Sequence, residues 1–356
     1  MKRMIRRITC LCVLLSLYGC AAEPIPTDPA SIPVETLELQ ATVTCQGDEY
    51  TQIHLLPDVT GQQVPALLSV RSDGTLDYIF RRDRSSDGSV QFSGYQYLTI
   101  SPDGTVTRQS TDWLGQLDDA LAAINSASAG AYRWELTFSA WEGDLLICAQ
   151  AQTLAEGTTD HTALYRVRGG VLSQVPLRWD RQDAQIDGIY PVEDGFLVSA
   201  GNGHLLDLYA YDGTKLMDIR ESCPEMKTLL GVGGSVTWFL DSRSDTVSAL
   251  DLKTGDVLAE QTCEVDYIRR CAVSPDGETL YLLSTSYTSG KVHFARITGD
   301  GTASVVRSPS QYSFGSIWSL PSRIASSVDG TFYTITETEK GITLLQYIPT
   351  EKETIP

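Results

Sequence analysis

Cys271-Ala272-Val273-Ser274-Pro275-Asp276-Gly277-Glu278-Thr279-Leu280-Tyr281-Leu282-Leu283 reads as a hairpin: an apolar run, a turn and a second apolar run. Asp-Gly between apolar runs marks a tight turn, because such turns need a residue at positive φ. The pattern continues with an apolar run from Val292 to Ile297, the turn Gly299-Asp300-Gly301 and a last run from Ala303 to Val306. Residues 270–305 therefore form one unit of four strands.

The unit repeats. The same order of runs and turns occupies 229–258, 188–217 and 136–175. The glycines of the last turn, Gly170, Gly213, Gly255 and Gly301, are spaced by 43, 42 and 46 residues. A four-strand unit at this period is the mark of a β-propeller blade. Blades pack face to face, so their strands are buried on both sides and need not alternate in polarity. Phe196-Leu197-Val198, Val236-Thr237-Trp238-Phe239-Leu240 and Phe332-Tyr333-Thr334-Ile335 fit that rule.

The predicted fold is an all-β propeller of four-stranded antiparallel blades over residues 36–349. Residues 316–348 supply three clear strands of a last blade. The strand at Thr36 to Thr44 is expected to complete it and close the ring, which removes the exposed edges. Residues 46–110 hold about five strands, more than one blade and less than two, so the ring has six or seven blades, with seven favoured. One segment is helical. Trp113, Leu114, Leu117, Leu121 and Ile124 share one face, Asp112 stands at the N-cap position, and Asp118 and Asp119 lie on the other face. Its simplest role is a connection between blades.

Ser274-Pro275-Asp276-Gly277-Glu278-Thr279-Leu280-Tyr281 resembles the hairpin of YVTN and WD-type bacterial propellers, and Ser101-Pro102-Asp103-Gly104 is a second copy. Ala249-Leu250-Asp251-Leu252-Lys253-Thr254-Gly255 resembles the outer-strand motif of quinoprotein-like (PQQ-like) repeats. These resemblances imply an architecture. They do not choose among the scaffolds, assembly factors, lactonases and dehydrogenases built on it.

The N-terminus speaks to location. Lys2, Arg3, Arg6 and Arg7 precede an apolar stretch from Ile8 to Leu17, and Leu17-Tyr18-Gly19-Cys20 follows. The apolar run is about half the ~20 residues of a membrane span. It reads as a signal peptide over 1–19. A cysteine after the small residue resembles the lipobox of bacterial lipoproteins, which implies lipidation at Cys20 and anchoring to the outer face of the cell membrane. Residues 20–35, with Pro24, Pro26, Pro29 and Pro33, read as an anchor and extended spacer. Residues 350–356 read as a polar tail or a linker to a further domain.

The chain carries 27 basic and 45 acidic residues, for a net charge of −18. Without the leader's four cations the net charge is −22. Such a chain repels nucleic acid and anionic headgroups, so no nucleic-acid partner is expected. Five cysteines remain beyond the anchor: Cys45, Cys148, Cys223, Cys263 and Cys271. None forms a C-x-x-C pair. Cys148 sits in an apolar run, and a Cys263–Cys271 bridge stays open.

No nucleophile elbow, zinc-binding H-E-x-x-H or dinucleotide fingerprint is present. His54, His161, His204 and His293 are scattered singly. No catalytic, metal or cofactor residue is assigned on this basis, and no cofactor is expected. In propellers the loops before each first strand line the central funnel, the default place for a ligand. There Asp266, Tyr267, Arg269 and Arg270 stand together, with Tyr287, Tyr312 and Trp318 in other loops. The expected function is a surface-anchored, non-enzymatic binding or scaffolding module, accessory to a solute-binding or transport protein. Its partner would be a protein, peptide or glycan. The alternative is a lactonase-like hydrolase, which requires acid, base and cationic groups converging at the channel mouth.

Overall fold

The structure, a computed structural model, describes residues 38–44, 49–59, 63–82, 94–127, 132–153, 159–177, 185–201, 205–222, 228–241, 246–262, 268–285, 292–299, 303–307, 323–338 and 341–349. The leader, Cys20, the spacer and the 350–356 tail lie outside them.

The chain opens with strands β1 (Glu38–Thr44) and β2 (Glu49–Val59). Blade 1 is β3 (Gln63–Val70), β4 (Leu76–Arg82), β5 (Tyr95–Ile100) and β6 (Val106–Arg108), followed by helix α1 (Trp113–Ala127). Blade 2 is β7 (Tyr132–Trp141), β8 (Asp144–Thr153), β9 (Thr159–Arg168) and β10 (Val171–Val175). Blade 3 is β11 (Ile186–Val192), β12 (Gly195–Ala200), β13 (Leu205–Ala210) and β14 (Lys215–Asp218), with the short helix α2 (Ile219–Ser222) after it. Blade 4 is β15 (Thr228–Gly233), β16 (Val236–Asp241), β17 (Thr246–Asp251) and β18 (Val257–Thr262). Blade 5 is β19 (Ile268–Val273), β20 (Thr279–Thr285), β21 (Val292–Thr298) and β22 (Ala303–Arg307). Blade 6 is β23 (Arg323–Ser326), β24 (Phe332–Thr338) and β25 (Gly341–Pro349), completed by the N-terminal strands in the order β1-β2-β25-β24-β23.

The innermost strands β3, β7, β11, β15, β19 and β23 each touch the next around the ring, and β23 closes on β3. All pairing within blades is antiparallel. The propeller and its four-strand period are as predicted, with six blades rather than the favoured seven. The reason lies in residues 46–110. One of the five strands there, β2, leaves to join blade 6, so the remaining four make a single blade. The closing strand is likewise corrected. It is β2, not Thr36 to Thr44, that pairs with β25, from Tyr50 opposite Pro349 to Val59 opposite Ile342. Strand β1 then pairs outside β2 as a fifth strand.

Burial explains the apolar runs. Separate clusters fill the seams between neighbouring blades. Phe196, Val198 and Tyr209 of blade 3 meet Leu146 and Leu164 of blade 2. Trp238, Val247 and Ala249 of blade 4 meet Leu280 and Leu282 of blade 5. In blade 6 the Phe332 ring stacks on Tyr347 at 4.4 Å and reaches Tyr281 of blade 5 at 5.8 Å. Helix α1 enters the blade 1–2 seam, where Trp113, Leu114, Leu117 and Leu121 are buried against Phe138 and Ile147. It is a connection that fills core. Its first turn is closed by the Leu114 N–H donating to the Thr111 carbonyl, not by Asp112. Cys148 is buried as expected, and Cys271 is a free thiol whose Sγ donates to the Leu230 carbonyl, so the bridge to Cys263 is not made. Burial pushes both thiols up to about 12, which keeps them unreactive at neutral pH. Among the described residues no helix is long and apolar enough to cross a membrane.

The Asp-Gly turns share one device. At Ser101–Thr105 the Gly104 N–H donates to the Ser101 carbonyl, and the Thr105 N–H donates to the Asp103 carboxylate. The loops at Asp73, Asp212 and Asp329 repeat the contact with Thr75, Thr214 and Thr331. Only the glycine takes positive φ, for example +84° at Gly104, so these are type I turns with a left-handed glycine. The threonine N–H holds Asp73 and Asp103 below the usual carboxylate range. At Asp329 burial opposes the shift, and the Ser327 hydroxyl and Thr331 N–H overcome it. A carboxylate lowered in the folded state adds stability above its unfolded pKa, and loses it as the pH falls through the folded one. Urea midpoints should therefore hold steady down to about pH 4 and fall below it. The triple variant Asp73→Asn, Asp103→Asn, Asp329→Asn should be less stable at pH 7 and show a shallower acid decline. An unchanged acid limb would refute this account.

Candidate site at the channel mouth

The inner strands divide the channel into two parts. Their later residues, Leu67–Val70, Ser139–Trp141, Tyr190–Pro191, Leu230–Gly233, Cys271–Val273 and Ile324–Ser326, surround a narrow space of about 210 Å³. The turns on that side are tight, and the lining mixes apolar side chains with Ser69, Ser139 and Ser326.

The other end is wider. Where the inner strands begin, a cavity of about 470 Å³ lies between blades 6, 1 and 2. Blade 1 contributes Val64, Pro65 and Ala66 from β3, Arg81 from β4 and Tyr95 from β5. Blade 2 contributes Trp134 to Phe138 from β7, and blade 6 contributes Arg323, the first residue of β23. The strands are bent at this level. Register shifts between Pro65 and Leu67, Ile186 and Gly188, Leu229 and Gly231, and Ile268 and Arg270 place bulges near the mouth. Bulges of this kind re-aim side chains.

The wall is held from behind by α1. The Trp134 indole N–H donates to the Asn125 side-chain oxygen at 3.0 Å. The Phe138 ring lies 5.0 Å from Tyr95 and 6.4 Å from Trp113. The aromatic side of the cavity is thus a rigid part of the blade 1–2 core.

Charge distinguishes the opposite side. Arg323 keeps solvent-exposed surface, yet the surrounding protein and the neighbouring Arg270 both lower its pKa. Several cations elsewhere pair with carboxylates: Arg71 with Asp77, Arg166 with Asp144, Lys215 with Asp207, and Lys253 with Glu193. Among the described residues no ion pair neutralises Arg323. Glu135 is the one carboxylate among the described cavity residues.

Of the funnel residues expected from the sequence, Arg270 is the third residue of the inner strand of blade 5 and is exposed, near enough to Arg323 for its charge to act there. Arg269 lies in the same strand, and Asp266, Tyr267, Tyr287, Tyr312 and Trp318 fall outside the described residues. Sequence reasoning missed Arg81, Glu135, Trp134, Tyr95 and Arg323. Their signal was faint: Arg81-Arg82 at the end of an apolar run and Trp134-Glu135 at a blade's start. His161 is exposed on the third strand of blade 2, and His54 and His293 also sit on outer strands, away from the channel. Among the described residues no group of three or more His, Cys, Asp or Glu side chains is placed to hold a metal ion.

No family model and no curated protein matches this sequence. Solved structures do. An oligogalacturonate lyase from Vibrio parahaemolyticus superposes with a TM-score of 0.52 at 11% identity, over 90% of this chain and 98% of that one. An oligogalacturonate lyase in complex with manganese gives 0.53 at 11% identity, with the same coverage. The WD40 β-propeller domain of Doa1 gives 0.40 at 12% identity, over 89% of this chain and 98% of that one. The two lyases share the fold with this chain. At 11% identity the likeness carries no chemistry across.

Proposed function

We propose that the protein is exported, lipidated at Cys20, and works on the outer face of the cell membrane as a non-enzymatic binding module. Its binding face is the channel mouth between blades 6, 1 and 2, and its role is accessory to a solute-binding or transport protein. The observation that carries this reading is the 470 Å³ cavity on a closed, rigid ring, a size ordinary for ligand sites. A hydrolase needs an acid and a base together. Among the described residues one carboxylate, Glu135, stands with guanidinium and aromatic groups, which suits holding a ligand better than turning it over.

A photo-crosslinking residue tests the face. Placed at Val64, which is 42% exposed at the rim of the cavity, it should capture an envelope component in living cells. Placed at Val171, which is 65% exposed beside the turn at Gly169-Gly170 on the opposite side, it should not. Equal capture at both positions, or capture at Val171 alone, would refute the assignment.

A further inference from the structure

We propose that the groove between blades 3 and 4 is a second interaction surface, which takes a segment of a protein partner that presents large apolar side chains between lysines or arginines. It opens on the tight-turn face, away from the mouth cavity, and stands independently of the mouth's role.

The floor of the groove is apolar. Val192, Leu208, Leu216, Met217 and Leu252 line a space of about 280 Å³. Val192, Leu208 and Leu252 also belong to the core that fills this seam, so the groove is the seam's open end. Its volume falls below the usual range of small-molecule sites. It suits an anchoring side chain of a larger partner, the kind of contact that dominates interface energetics.

Two bulges carry further apolar side chains to the rim. In β14 the register slips between the pairs Leu208–Met217 and Tyr209–Lys215, which leaves Leu216 over. In β18 it slips between Ala249–Ala259 and Leu250–Val257, which leaves Leu258 over. Bulges re-aim side chains, and here both carry an exposed leucine, Leu216 at 54% and Leu258 at 51%. Val257 is exposed beside Leu258 and pairs with Leu250, a member of the same seam core. The outer strands of blades 1, 2 and 5 keep a regular register on their neighbours. Exposed apolar groups gathered at one place mark interaction sites, whereas single ones need no explanation.

Charge selects the partner. Glu193 and Asp194 line the groove with one cation, Lys253, which Glu193 already holds at 2.6 Å. Asp251 precedes Leu252, and the exposed Asp256 precedes Val257. Lys215, next to Leu216, is bound by Asp207 and Asp218. Apolar anchors edged by carboxylates attract a cationic segment and repel an acidic one. A second copy of this chain would bring a net charge of −18 against the same rim, and an anionic membrane would be repelled likewise.

The test is fluorescence anisotropy of the full chain with a labelled hexapeptide of alternating leucine and lysine. It should bind. The same peptide with glutamate for lysine, or with serine for leucine, should bind at least about tenfold more weakly. The double variant Leu216→Ser, Leu258→Ser should weaken binding about tenfold or more. Val171→Ser, on blade 2 and outside the groove, should leave it unchanged. If the double variant does not fold, a benzophenone-bearing form of the peptide on the unaltered protein takes its place, and it should attach within residues 192–217 or 251–258. No binding by the lysine peptide, equal binding by either altered peptide, full affinity in the double variant, or attachment elsewhere would each overturn the proposal. Capture at Val64 in cells is read separately, so failure of the mouth and failure of the groove are distinguishable.

Discussion

Asp77→Ala should destabilise the protein by about 3–5 kcal/mol, the cost of removing one partner from a buried charged pair. Asp77 is fully buried on the second strand of blade 1. It accepts two hydrogen bonds from Arg71, at 2.9 and 2.6 Å, and one from the Tyr97 hydroxyl at 2.5 Å. The contact with the carboxylate raises the Arg71 pKa above its ordinary value. Tyr97 is raised too, first by burial and then by the charge of Asp77, so it remains a donor at any ordinary pH. Alanine would strand a half-buried guanidinium and a buried phenol together. The damage should spread to blade 2, because the Arg71 guanidinium packs on Gly143 of its first turn. That turn is tied to blade 1 by Glu142, which accepts from the Ser72 N–H and hydroxyl at 2.8 and 2.9 Å. Urea unfolding followed by circular dichroism measures the loss. Asp77→Asn, which keeps the shape, should cost less than Asp77→Ala. Equal stability of Asp77→Ala and the parent would show that the network contributes nothing net.

Trp238→Ala should cost about 3–5 kcal/mol, as large aromatic truncations in cores do. Its ring is fully buried in the seam between blades 4 and 5. Its indole N–H donates to the Gly277 carbonyl at 2.8 Å, across the seam. That carbonyl belongs to the Ser274–Gly277 turn, where the backbones of two blades meet. A Cβ on Gly233 would stand 2.0 Å from the Ser274 carbonyl oxygen, so only glycine fits. The truncation therefore leaves both a cavity and an unpaired carbonyl. Trp238→Phe restores most of the apolar area without the donor and should cost about 1–3 kcal/mol. Hydrogen exchange should speed up in blades 4 and 5 before blade 1, since local opening follows the weakened seam. Uniform acceleration around the ring would contradict a seam-by-seam core.

Much of the fold was legible because it is local. Each blade is a run of neighbouring strands joined by short turns, and the turns announce themselves through Asp-Gly. The Ser274-Pro275-Asp276-Gly277 hairpin, the units over 136–305 and the helix with Trp113, Leu114, Leu117 and Leu121 on one face all stand where their patterns put them. The blade count and the closing strand were not legible. Thr36 to Thr44 and Glu49 to Val59 both read as strands, and nothing nearby says which meets Gly341 to Pro349. That choice is made by pairing across almost the whole chain, from Tyr50 to Pro349.

The candidate site shows the same division more sharply. Residue types and periodicity, which are properties of short windows, determined that this chain folds as a ring of antiparallel blades with a helical insertion. Only ring closure brings Arg323 of the last blade against Val64 and Arg81 of the first. In the sequence Arg81 and Arg323 are ordinary charges more than 240 residues apart. Their significance arises because the seam between first and last blade places both guanidinium groups, with Glu135, around one cavity. Cations gathered from distant parts of a chain share an electrostatic field only once the backbone has brought them together.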